Sequence, residues 1–149
     1  MGLLCDYFVA SSDEAAIAML EVPGGPAAAP APGPPVLELK NIEPAVNMQT
    51  LEELLTGRSA EDVVRNPRQG NMLESDPDGA AIVSITLELQ QALATSDADT
   101  LRAVAERWAD TDELAGSDPD DLTDILLQLA QLAHEANVRE HALYCWVSP

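Results

Sequence analysis

The side chains best suited to nucleophilic or metal chemistry in this 149-residue chain are Cys5, His134, His141 and Cys145. Structural zinc takes four such ligands, usually in closely spaced pairs, and no pair here has finger-like spacing. His141 and Cys145 lie four apart, which aligns them only on a helix, whereas the LYCWV run at 143–147 reads as strand. A cysteine nucleophile needs a base and a third group to orient it. Cys145 with His141 or His134 meets that need by composition alone, no glycine-rich oxyanion loop accompanies it, and Trp146 beside it reads as packing. The expectation is therefore two free, buried thiols, with their mutual adjacency and reactivity left open. Glu74, Asp76, Asp78 and Gly79 imitate the first half of a calcium loop, but Ile85 stands where the bidentate Glu belongs. Asp76-Pro77-Asp78-Gly79 is read instead as a turn. Gly24-Gly25 and Gly33 sit among prolines, not between a strand and a helix, so no phosphate cradle is expected. No metal, no cofactor and no catalytic residue is assigned.

Charge is the stronger signal. The chain carries 26 Asp and Glu against 7 Lys and Arg, a formal net charge of −19, yet 46% of its residues are hydrophobic. Such a composition builds a folded core inside an anionic shell, which attracts cationic partners and disfavours direct contact with nucleic acid. From Asp97 to Asp124 ten acids face only Arg102 and Arg107. Several have local duties, as Asp97 and Asp118 suit helix caps and Asp120 and Asp121 suit a helix N-terminus. Capping does not require Asp110, Asp112, Glu113 and Asp124 in the same neighbourhood. Asp110, Asp112, Glu113, Asp120, Asp121 and Asp124 are the candidate partner-binding residues, and a basic protein surface is the expected partner.

These residues need elements to hold them. The LLCDYFV run at 3–9 alternates and predicts a first strand, followed by a helix over 12–20 that Ser11 and Glu14 open as a capping box. Residues 22–35 are rich in proline and predict an extended surface loop. A strand at 36–40 leads to a helix that Gly57 ends, then a short helical turn capped by Ser59. Residues 65–80 read as loop, 82–85 as a β-branched strand, and Thr86 as the cap of a helix to about 95. Asp97 or Ser96 opens a helix whose Leu101, Val104, Ala105 and Trp108 share a face. Asp118 followed by Pro119 starts a long helix, and 143–147 closes the chain as a strand able to pair with the first. About four short strands and about five helices predict one α+β domain over 1–149, with the helices on a small antiparallel or mixed sheet.

The openings, middle and end (MGLLCDYFVA, IEPAVNMQTLEELLTGR and LYCWV) resemble those of a group of small acidic bacterial proteins with no assigned function. The resemblance implies a shared α+β plan and transfers no catalytic residue. Met1–Ala10 lacks the basic region of a secretory signal, and no apolar run reaches the roughly 18–20 residues of a membrane helix. A cytoplasmic protein with no membrane contact is expected, as a monomer or as a dimer through an apolar strand edge. The functional expectation is a non-enzymatic binding protein, in concrete form an immunity or inhibitor protein, or a mimic of a nucleic-acid backbone, engaging a basic partner. The alternative is a small enzyme or small-molecule-binding accessory protein of a biosynthetic pathway, using a pocket near Cys5, His141, Cys145 and Trp146.

Overall fold

A computed structural model describes residues 2–149. The strands are β1 (Leu4–Ala10), β2 (Val36–Lys40), β3 (Met72–Ser75), β4 (Ala81–Ser84) and β5 (Ala142–Ser148). The helices are α1 (Asp13–Ile17), α2 (Val46–Thr56), α3 (Ala60–Val64), α4 (Leu87–Thr95), α5 (Ala98–Ala109) and α6 (Pro119–Arg139). Short 3-10 turns at Ala18–Glu21, Pro26–Ala28 and Asp112–Leu114 complete the path. The strands form one sheet in the order β2-β1-β5-β4-β3, antiparallel throughout, so the class is α+β. Among the described residues no helix is long and apolar enough to cross a membrane.

Alternation in β1 decides which side chains meet the helices. Cys5, Tyr7 and Val9 join Leu143 and Cys145 beneath α2, α4, α5 and α6, against Leu51, Leu93, Trp108, Leu126 and Leu129. Each fully buried large aliphatic side chain of that layer contributes about 1.5–3 kcal/mol. The opposite face carries Phe8, Ala10, Ile82, Tyr144 and Trp146, covered by Ala16 of α1 and by Met19 and Leu20. Phe8 and Tyr144 pack with ring centroids 5.9 Å apart. The sheet is thus covered on both faces, thickly by the long helices and thinly by the segment after β1.

Several local expectations shift. Ser12, not Ser11, caps α1 by accepting from the Ala15 amide, and the helix tightens into a 3-10 turn after Ile17. The loop expected over 65–80 contains an extra strand, β3, which pairs with β4 through an irregular register at Met72–Glu74. Its mostly exposed side chains give no alternating pattern to read. The proline-rich stretch is not uniformly extended: Pro26 opens a 3-10 turn, and Gly25 and Pro26 are buried. A Cβ on Gly25 would stand 2.6 Å from the Trp146 ring, so only glycine allows that backbone to lie on the indole. Ala27, Ala28 and residues 30–33 remain on the surface.

Candidate functional sites

The acidic candidates lie along the connection from α5 to α6 and the first turns of α6. Trp108 and Leu114 are buried there, and the Thr111 hydroxyl donates to the Trp108 carbonyl at 2.6 Å, which folds the chain back after α5. Gly116 takes a φ of +89° to turn it toward Asp118, whose carboxylate accepts from the Asp120 amide at 2.9 Å. Asp110, Asp112 and Glu113 lie on the connection; Asp120, Asp121 and Asp124 lie on the first two turns of α6. All six are exposed, and so is Asp118. None has a cationic nitrogen within 4.0 Å among the described residues. Asp118, Asp120 and Asp121 face the positive end of α6, which favours them. Asp110, Asp112 and Glu113 follow the negative end of α5 and gain nothing from it.

The four residues of the alternative pocket do not converge. Cys5 and Cys145 have 0% exposure on the helix-covered face, where the register Cys5↔Val147 and Tyr7↔Cys145 makes them diagonal neighbours. Trp146 points to the opposite face, and His141 sits in the connection before β5. The Cys5 and Cys145 thiols donate to the carbonyls of Leu3 and Trp146, both at 3.8 Å. Burial pushes Cys145 well above the ordinary thiol range, while the Cys145 thiol beside Cys5 lowers the latter against its own burial. Tyr7, completing the cluster, donates to the Ile42 carbonyl at 2.6 Å. This is packing chemistry.

His141 instead borders a shallow polar depression with Arg68, Gln90, Gln91 and Asn137. Most of the polar groups described there serve the fold, although Arg68 Nη2 is buried without a hydrogen-bond partner among the described residues. The Gln90 carboxamide donates to Asn137 at 2.8 Å and to the His141 carbonyl at 3.1 Å, and accepts from the Leu143 amide at 3.0 Å. Arg68 Nε donates to the Ile85 carbonyl at 2.9 Å, and its guanidinium lies 5.4 Å over the Tyr144 ring. The Tyr144 hydroxyl donates to Asp13 at 2.7 Å. The calcium-like run is a turn: Asp76 accepts from the amides of Asp78 and Ala80, and Gly79 has a φ of +95°. No group of three potential metal ligands forms among the described residues.

Two carboxylates that sequence reasoning passed over are buried. Glu52 on α2 is 1% exposed and accepts from the Thr86 hydroxyl, while its second oxygen has no hydrogen-bond partner. Asp6 on β1 is 5% exposed and forms no side-chain hydrogen bond or ion pair among the described residues. It stands between Glu38 of β2 and Trp146 of β5, its direct cross-strand partners. The only sequence signal was an acid sharing a strand face with Leu4 and Phe8. No protein-family model, curated protein or solved structure matches this chain.

Proposed function

We propose that this chain is a non-catalytic binding protein that docks a basic protein partner on the α5–α6 junction. The observation that carries the reading is the exposed set of carboxylates from Asp110 to Asp124, without a cationic nitrogen within 4.0 Å among the described residues, of which Asp110, Asp112, Glu113 and Asp124 are not needed at an α-helix N-terminus. A surface of this kind raises the encounter rate with a cationic partner and fixes its register. The expected partner surface is rich in Lys and Arg, like that of a nuclease or another nucleic-acid-binding protein, so an inhibitor or immunity role fits the chemistry. The divergence of Cys5, His141, Cys145 and Trp146 removes the geometric support for a pocket formed by those residues.

The test compares two triple variants in capture from the native host. Neutralising Asp110, Asp112 and Glu113 to Asn, Asn and Gln is expected to release the partner. Neutralising Glu14, Glu53 and Glu74 to Gln, which changes the net charge equally, is expected to keep it. The captured protein should be basic and should leave the wild-type chain as salt screens the contact. An acidic partner, retention unchanged at high salt, or equal loss in both variants overturns the proposal.

A further inference from the structure

The face of the sheet turned away from the long helices carries a groove in two lobes. One lobe, about 360 Å³, is bordered by Leu4, Asp6, Gly24, Glu38, Lys40 and Trp146. The other, about 440 Å³, lies across Gly24 and Trp146 and brings Glu21, Asp76 and Asp78 to its rim. Asp6 is 5% exposed, borders the first lobe and has no hydrogen-bond or ion-pair partner among the described residues, so its carboxyl oxygens are met only by the solvent the lobe admits. Glu38 stands beside it in the strand register, and Lys40 makes no ion pair within 4.0 Å among the described residues. Trp146 is held by the Gly25 backbone on its ring and borders both lobes, so it forms an apolar divider between two acidic ends.

We propose that this groove binds an aliphatic polyamine of about spermidine length, since Asp6 and the Asp76 turn lie three strands apart: one ammonium group between Asp6 and Glu38, the carbon chain across the edge of Trp146, and a second ammonium toward Glu21, Asp76 and Asp78. Ammonium donors would supply the hydrogen bonds that Asp6 lacks, and the indole edge and Leu4 would cover the methylene stem. An anionic ligand would be repelled by Asp6 and Glu38, and a neutral donor would offset neither charge. Burial, and then the neighbouring Glu38, push the Asp6 carboxyl up to about 6, so binding should strengthen as pH rises through that value. The other charged groups around the groove are Lys40, Glu21, Asp76 and Asp78.

Spermidine titrated into the full chain at physiological ionic strength, followed by the indole N–H resonances, tests this. The Trp146 signal is expected to move and that of Trp108, buried beneath the helices, to stay. Asp6→Asn, nearly isosteric, should weaken binding about tenfold or more, and Glu38→Gln, on an exposed edge position, should weaken it in the same direction. Lys40→Met should strengthen it. Butylammonium should bind more weakly than spermidine, because it leaves the second lobe empty. The Asp110→Asn, Asp112→Asn, Glu113→Gln triple variant should bind spermidine as the wild type does. Equal binding by Asp6→Asn, equal affinity for butylammonium, or equal weakening in the triple variant would reduce the effect to diffuse attraction and overturn the proposal.

Discussion

Glu52 and Asp6 behave differently from the other carboxylates because their side chains are largely withdrawn from water. Burial raises the pKa of Glu52, against the Thr86 hydrogen bond and the attraction of Arg58, and burial likewise raises Asp6 to about 6. A raised folded-state pKa means that the native state holds its proton more tightly than the unfolded chain. The stability these groups contribute is therefore full below the unfolded carboxyl range and is lost as pH rises through the folded values. Glu52→Gln keeps an acceptor for Thr86 and removes the charge. It should stabilise the protein by about 1 kcal/mol at pH 8 and change little near pH 4, as urea unfolding at the two pH values would register. A loss at pH 8 would instead mean that Glu52 is ionised and held by Arg58, 4.0 Å away. Neither acid was legible as buried, because strand alternation and helix spacing place a residue on a face without stating what lies over it. The exposed acids of 110–124 were legible, since turn chemistry, a cap and a helix start leave little else for them to do.

At the scale of elements, the caps were the most readable features. Ser59, Thr86 and Asp118 each accept a backbone amide at the start of the helix they were expected to open, and of the two candidates for α5 it is Asp97, not Ser96, that does so. The first helix was misread by one residue because Ser11 and Ser12 carry the same local chemistry, and only the tertiary path selects Ser12. β3 escaped notice because an edge strand needs no buried alternation; its partner β4 supplies the order. The docking of the proline-rich stretch depends on Gly25, with its φ of +80° and its contact with Trp146. Gly25→Ala should cost about 2–3 kcal/mol, combining strain with collision, and should expose the Trp146 indole to quenchers. Gly57→Ala, at φ +76° with open space around it, isolates the strain alone and should cost about 1 kcal/mol in the same unfolding assay.

The whole molecule balances a net charge of −19 against two aliphatic-rich layers packed on either side of one sheet. Long-range repulsion of that size is screened by salt, while the core contacts are not. The buried pair Cys5 and Cys145 reports on the same balance, since both sulfurs lie at 0% exposure inside the main layer. Alkylation by iodoacetamide should proceed only through opening of the sheet, at rates that fall as added salt raises the unfolding free energy. Rapid modification of either thiol in the native protein would show that the layer opens locally. The α+β class and the pairing of the first and last strands were visible in the sequence; the strand order, which depends on contacts between distant segments, was not.

That pairing has a topological consequence. β1 and β5 lie side by side in the body of the sheet, with Leu4 opposite Ser148, while β2 and β3 form its borders. The backbone therefore traces almost a ring: a turn of a few residues from Ser148 to Leu4 would seal it, and a nick at Gly79 would leave the ladders between all five strands in place.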